Sequence, residues 1–310
     1  MAAVARLRVV RPGMLTTVQD HGRHGQGHLG VAQQGALDAY ALRWAQRLAG
    51  NGPEAAGLEI TLLGPTLAVL DPCFGAIAGA ELGMKVNGAP WPAGTSRRLL
   101  AGDLLSFGPP LDGLRAYLSF GGGVAGDELL GSRATDLQSG VGGHGGRALR
   151  AGDILTVGDL DGEPAAAPVP TAILRDRARV LPGPRDRLFP RDALRQLSSA
   201  PYQVTSHSDR VGMRLRGPEV SGAPGSILSE GTPLGGIEIP PAGQPIVLLQ
   251  GRGTVGGYPI LATVIAADIP LLAQLRPGGA VRFAVVSRAE ARAAREEMER
   301  ELLLPLRPLA

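Results

Sequence analysis

The chain has 310 residues, enough for about two domains that each bury a core. Hydrophobic residues at 44% against 19% charged describe a soluble globular protein rather than a disordered one. The net charge is only +3, aromatic content is 4%, and no basic run is interleaved with aromatics, which argues against nucleic-acid binding.

No apolar run approaches the ~18–20 residues that span a bilayer. Met1 to Val10 holds Arg6 and Arg8 but no long apolar segment ending in a cleavage site, so the chain reads as cytoplasmic, with no membrane partner. A single cysteine, Cys73, excludes intrachain disulfides and multi-thiolate metal sites. It lies beside an apolar run and reads as a buried, inert thiol. The only lysine, Lys85, sits in Gly83-Met84-Lys85-Val86-Asn87, which is no phosphate-binding loop of the Gly-x-x-x-x-Gly-Lys type. Schiff-base chemistry or biotin attachment would also have to use that lysine, in a context that suits neither.

In chain order the sequence is mainly β. Short apolar runs bounded by Gly and Pro predict strands at Leu15 to Gln19, Thr66 to Leu70, Ala116 to Phe120, Ile154 to Val157, Ile246 to Leu249 and Val281 to Val286. Asp38 to Leu48 predicts a helix, with Ala41, Trp44, Ala45 and Leu48 on one face and Gly50-Asn51 as its stop. A turn-strand unit recurs: Leu99-Leu100-Ala101-Gly102-Asp103-Leu104-Leu105 is echoed by Leu149-Arg150-Ala151-Gly152-Asp153-Ile154-Leu155 and more loosely by Leu275 to Val281. Asp159 to Thr171, rich in Ala, Pro and Gly, reads as a linker between β-rich domains at 1–160 and 170–310. Asp268 is placed to cap a short helix with Pro270 in its first turn. Ser287-x-x-Glu290 forms a capping box for a last helix reaching about Leu304.

Several polar clusters could carry chemistry. His21, His24 and His28 have tempting spacings, but a Gly-rich loop does not enforce one face and no thiolate or acidic cluster joins them, so no metal site is expected. Gly25-x-Gly27-x-x-Gly30 and Gly140-x-Gly142-x-x-Gly145 match a dinucleotide fingerprint without the βαβ context that gives it meaning. Asp20 and Arg23, in an Asp-x-Gly-Arg turn after a strand, read either as a structural ion pair or as a clamp on a carboxylate or phosphate. Glu59 and Thr61 alternate along a strand. Ser206-His207-Ser208-Asp209-Arg210, with Arg214 following, cannot reach triad geometry from one loop and reads as an anion-contacting segment. Glu230 and Glu238 complete the acidic candidates.

The richest segment is Gly253-Thr254-Val255-Gly256-Gly257-Tyr258-Pro259. Glycines let the backbone approach a ligand closely, and Thr254 and Tyr258 supply hydroxyls beside it. That is the make-up of a binding loop on a β scaffold.

Taken together, Thr17-Val18-Gln19-Asp20-x-Gly22-Arg23, Gly35-Ala36-x-Asp38, Leu58-Glu59-x-Thr61, Leu130-Gly131-Ser132-Arg133-x-Thr135, Gly142-Gly143, Ser208-Asp209-Arg210-x-Gly212-x-Arg214-Leu215 and the Thr254 to Gln274 stretch resemble a known family over nearly the whole chain. It is the group formed by the C subunit of 5-oxoprolinase, also named KipA, allophanate hydrolase subunit 2 or the biotin-dependent carboxyltransferase family. The resemblance implies a cyclophilin-like β-barrel architecture with a few short helices. It implies partnership with A-type and KipI-like B-type subunits, ATP use at the level of that complex, and a small amide substrate, 5-oxoproline, opened to glutamate. A second chemistry implied by the resemblance is biotin-dependent carboxyl transfer to urea or a related amide, and a third reading is a non-catalytic regulatory partner. The ligand-binding candidates are Asp20, Arg23, Glu59, Thr61, Asp209, Arg210, Arg214, Thr254, Gly256, Gly257 and Tyr258. The chain departs from the family pattern at Gly251 and Gly253, where Asp and Gln are usual, and at Glu238, where Gln is common.

Overall fold

Apolar runs broken by glycine turns build two β-rich units. The structure, a computed structural model, describes residues 4–158, 161–168 and 177–309, so the linker read at Asp159 to Thr171 lies partly outside them. One unit comprises Met1–Arg23, Gln34–Ile173 and Leu302–Ala310, and the other His24–Gln33 and Leu174–Glu301. The units are not successive blocks of chain.

In the first unit, one sheet orders the strands Ile154–Gly158, Val4–Arg11, Thr66–Val69, Leu104–Ser106, Lys85–Val86 and Ala89–Pro90. The other orders Leu15–Gln19, Gly57–Thr61, Arg115–Phe120, Cys73–Gly79, Thr95–Leu99, Ala165–Ala166 and Arg307–Pro308. Within the segment read as linker, Ala165–Ala166 therefore serves as a strand. Alternation along Val4–Arg11 buries Ala5, Leu7 and Val9 and leaves Val4, Arg6 and Arg8 outside. Leu7, Val9, Leu67 and Leu155 of the first sheet share one apolar cluster with Leu58, Ile60, Ile77 and Leu118 of the second. Helix α1, Ala39–Leu48, covers the second sheet, burying Ala41, Trp44, Ala45 and Leu48. The Asp38 carboxylate caps it by accepting from the Ala41 N–H at 2.8 Å.

The second unit is built on a closed barrel of seven strands: Arg177–Pro182, Ile260–Val264, Gly236–Glu238, Ile246–Leu248, Gly212–Arg216, Tyr202–Val204 and Ala280–Val285. Closure removes open edges. Val180, Tyr202, Leu215, Ile237, Val247, Ala262 and Phe283 are all buried. A two-stranded ribbon, Glu230–Gly231 with Val255–Gly256, is added to the barrel. Helix α2, Ala193–Ser198, has no counterpart in the sequence reading; one turn and a half gives little periodicity to detect. Helix α3 spans Ile269–Gln274 as expected, but Asp268 does not cap it. Its carboxylate instead accepts from the Arg179 backbone N–H at 2.7 Å and from that guanidinium at 2.9 and 2.7 Å, tying the helix to a barrel strand. Helix α4, Arg288–Glu301, starts at the expected capping box: Ser287 N–H donates to Glu290 at 2.7 Å and Glu290 N–H to Ser287 Oγ at 3.2 Å.

The repeated turn is the same object three times. Gly102, Gly152 and Gly278 have φ of +92°, +91° and +86°, and their N–H groups donate to Val69, Val9 and Val204 carbonyls. In the first two copies the following Asp carboxylate accepts from the Leu100 or Arg150 N–H, at 2.8 and 2.7 Å. The third copy has Gly279 in that place.

Candidate functional site

The sequence-predicted residues fall into two clusters, one in each unit. In the first unit, Asp20 and Arg23 are only 2% and 1% exposed. Asp20 Oδ1 accepts from Gly22 N–H at 2.8 Å and from Ser132 Oγ at 2.7 Å, and Oδ2 accepts from Arg133 N–H at 2.6 Å. Arg23 donates through Nε to the Leu129 carbonyl at 3.2 Å and through Nη2 to the Ala134 carbonyl at 2.6 Å. The two side chains thus do not form the direct ion pair read from the sequence. Each instead binds the Leu129 to Ala134 loop. Burial pushes the Arg23 guanidinium below its ordinary range, with Asp20 and Asp136 partly offsetting the effect. Gly142 closes the knot, because a Cβ there would overlap Ala134 O and Arg23 Nη2. Three of the separated motifs meet at this point.

Glu59 is equally enclosed. One oxygen accepts from Leu37 N–H at 2.8 Å and from Tyr117 OH at 2.7 Å, while Arg115 Nε lies 3.9 Å from the other. Tyr117 OH in turn accepts from Asp38 N–H at 2.8 Å. The network therefore fixes the start of α1. Thr61, half-buried at its strand end, pairs with Leu15 and Arg115.

The histidines are separate matters. His21 Nε2 is 3.2 Å from Glu54, and His28 Nδ1 lies 3.0 Å from the Gly25 carbonyl. Among the described residues no group of three His, Cys, Asp or Glu side chains is placed to hold a metal ion. Cys73 is half-buried, and burial pushes its thiol up to about 12.

In the second unit the loop at Gly251 to Tyr258 is joined to the Asp209-Arg210 segment. Gly251 N–H donates to the Arg210 carbonyl at 2.8 Å, and Leu249 N–H to the Val211 carbonyl at 2.9 Å. The Arg210 side chain is buried, and burial lowers it to about 10, so it stays charged at neutral pH. Asp209 does not orient it: Asp209 Oδ1 accepts from Val211 and Gly212 N–H at 2.8 and 3.0 Å, a local turn. Arg214 is exposed on its strand.

The ribbon holds the rest. Glu230 pairs with Gly256 and Gly231 with Val255. Thr232 N–H donates to the Thr254 carbonyl at 3.2 Å, Thr232 Oγ1 donates to the Gly253 carbonyl, and Gly257 O accepts from Ile227 N–H at 2.8 Å. Among the described residues the hydroxyls of Thr254 and Tyr258 have no hydrogen-bond partner, and Tyr258 is 40% exposed. Arg252 pins the loop from below, donating to the Thr232 carbonyl at 3.0 Å, the Leu249 carbonyl at 3.4 Å and Gln33 Oε1 at 3.4 Å. Arg185 holds Glu230 Oε2 at 2.9 Å through Nε and 2.7 Å through Nη2. Glu238, at the end of its barrel strand, lies beneath Gly256, where a Cβ would sit 2.7 Å from its Oε1. Sequence reasoning missed Arg185, Thr232 and Arg252. An arginine between two loop glycines was the available signal for the last of these.

The family model for "Carboxyltransferase domain, subdomain A and B" matches residues 29–285. The chain is 38% identical over 297 residues to the C subunit of 5-oxoprolinase from Escherichia coli (strain K12), covering 95% of this chain and 96% of that protein. The chain belongs to the 5-oxoprolinase C-subunit family. Its relative of the same name in Haemophilus influenzae is 36% identical over 287 residues, covering 91% and 92%. The fold of this family member is also that of the Kluyveromyces lactis urea carboxylase crystal structure, with a TM-score of 0.88 at 31% identity over 96% of this chain. There it matches 29% of a longer protein. The closed barrel and few helices implied by the family resemblance are present. No helix among the described residues is long and apolar enough to cross a membrane.

Proposed function

We propose that this chain is the C subunit of an ATP-dependent 5-oxoprolinase that opens 5-oxoproline to glutamate, working with A-type and KipI-like B-type subunits. The observation that carries this reading is the end-to-end match: 96% of the Escherichia coli 5-oxoprolinase C subunit is covered, at 38% identity. Ring opening of a stable lactam calls for activation of its carbonyl, and donors aimed at a developing negative oxygen assist it. In this reading Arg210 supplies positive potential near the Gly251–Tyr258 loop, and Thr254, Tyr258 and the Gly256-Gly257 backbone contact the substrate.

ATP does not fit this chain in the Walker manner. Lys85 is exposed on a two-residue strand paired with Ala89–Pro90 and with Ser106, far in sequence from any glycine loop at a helix start. ATP is therefore assigned to the complex. The chain alone is inactive or weakly active. Coexpression with both partner subunits, followed by measurement of glutamate released from 5-oxoproline with ATP, tests the assignment. Release that requires this chain supports it, and none from the complete complex overturns it.

A second reading is favoured by the fold shared with urea carboxylase at a TM-score of 0.88. There the chain would be a carboxyltransferase component using biotin carried elsewhere, since Lys85 does not sit in an attachment context. Activity on urea that depends on a biotinyl domain would select it, and the oxoprolinase reading predicts no such dependence. The cytoplasm is the compartment consistent with either metabolic role.

A further inference from the structure

Glu238 carries a carboxylate that the fold does not use. The residue is 7% exposed, and among the described residues none donates a hydrogen bond to it or forms an ion pair with it. Burial alone raises its affinity for a proton, with no charged neighbour contributing. The nearby arginines are engaged elsewhere, and Glu230, on the ribbon strand above, also keeps one buried oxygen, Oε1, without a partner. Arg185 is committed to Glu230, and the Arg252 nitrogens to Thr232, Leu249 and Gln33. The space that Glu238 enters exists because residue 256 is glycine: a Cβ there would lie 2.7 Å from Oε1 and 3.0 Å from Thr232 Cγ2. The carboxylate is thus seated directly beneath the ribbon that carries Thr254 and Tyr258. The side chain is largely buried while its oxygens keep some solvent contact, so the carboxylate is partly desolvated, has no protein donor and is open to one supplied by a ligand.

We propose that Glu238 is a specificity residue that accepts a hydrogen bond from the N–H of a small amide seated at the Gly251–Tyr258 loop. The class includes the lactam N–H of 5-oxoproline and the amino groups of urea, and the assignment rests on the amide-substrate reading above. A carboxylate oxygen accepts only, so the site selects amides that keep an N–H over those alkylated at nitrogen. Sites built around such a bond discriminate strongly against analogues that lack it.

The test uses the complete complex for turnover and the full chain for calorimetric binding of 5-oxoproline, urea and N-methyl-5-oxoproline, with wild type, Glu238→Gln and Glu238→Leu. Glu238→Leu is expected to raise the KM for 5-oxoproline, or the Kd of whichever amide binds, by about tenfold or more, and to erase most of the preference over the N-methyl analogue. Glu238→Gln, whose amide oxygen still accepts, is expected to recover most of the loss. The thermal midpoint of Glu238→Leu should equal or exceed that of wild type, since a group without a partner is removed. A folded Glu238→Leu protein with unchanged KM, Kd and analogue preference overturns the assignment while leaving the oxoprolinase reading intact. Absent 5-oxoproline turnover with urea binding that weakens in Glu238→Leu overturns the oxoprolinase reading and keeps this one. If neither amide binds to the wild-type chain or its complex, both fall.

Discussion

Asp20 and Glu238 are both acidic, both buried and both next to glycine-rich loops, yet they are treated in opposite ways. Asp20 receives three hydrogen bonds within 2.6–2.8 Å, two of them from residues more than a hundred positions away in sequence. Glu238 receives none among the described residues. The first carboxylate is a fastener, since its burial is compensated inside the protein and holds the Leu129 to Ala134 loop in place. The second retains an unmet bonding capacity, which the fold alone does not explain. Burial of a charge by itself does not separate structure from function; the state of its partners does.

Removing the fastener should have the largest effect. Asp20→Ala leaves Ser132 Oγ and two backbone N–H groups without their acceptor, and breaking such a buried charged network costs about 3–5 kcal/mol. Denaturant unfolding of the purified chain would register the loss. A change below about 1 kcal/mol would remove the contrast with Glu238 altogether.

The same comparison can be made on the glycines. Gly142→Ala must place a methyl group into Ala134 O and Arg23 Nη2 at a φ of +74°, where neither backbone nor guanidinium can move aside. A cost of about 3 kcal/mol is expected from strain and overpacking together. Gly256→Ala meets the far end of a flexible carboxylate at 2.7 Å. Glu238 can swing away, so about 1 kcal/mol or less is expected, with ligand affinity affected more than stability. Equal costs in thermal unfolding would mean that the Glu238 niche is as rigid as the Asp20 knot.

What can be read from the sequence divides along the same line. Local signals are legible: the apolar runs form strands, the Asp38 to Leu48 periodicity and the Ser287-x-x-Glu290 box mark helices, and the repeated glycine turn recurs in the first unit and in the barrel. The resemblance locates the loop at Gly251 to Tyr258 and the barrel that carries it. Long-range side-chain partners are not legible. Nothing near Asp20 in sequence announces Ser132, and nothing near Asp268 announces Arg179, 89 residues earlier. Sequence alone therefore pairs Asp20 with its neighbour Arg23 and makes Asp268 a helix cap. Turn chemistry likewise claims Asp209, whose carboxylate has two N–H groups within three residues to satisfy.

A smaller effect separates the buried hydroxyl of Tyr117 from those of the binding loop. Tyr117→Phe deletes the bridge between Asp38 N–H and Glu59 and should cost about 1–3 kcal/mol, visible in denaturant unfolding. Thr254→Val and Tyr258→Phe remove hydroxyls with no partner among the described residues, and should leave stability within about 0.5 kcal/mol. A stability loss at either loop position as large as that at Tyr117 would assign those hydroxyls to the fold and not to a ligand.

The weakest expected signal is in pH, where Asp153 and Glu238 contribute slopes of opposite sign. Asp153 is hydrogen-bonded by Arg147 at 2.8 and 2.9 Å, which pulls its carboxyl from 3.8 to about 2. A depressed acid stabilises the folded state above its unfolded pKa and loses that contribution as pH falls through about 2. Glu238 is displaced upward by burial, so its contribution is complete below its ordinary range near 4.5 and disappears as pH rises through the folded value. Arg147→Ala should therefore move the acid-unfolding midpoint up by about half a pH unit, while Glu238→Gln should flatten the decline of stability on the alkaline side of 4.5. Thermal midpoints measured from strongly acidic to neutral pH would resolve both. Matching slopes in the two variants would mean that Glu238, like Asp153, is held by a partner inside the protein, and the distinction between fastener and site would no longer hold.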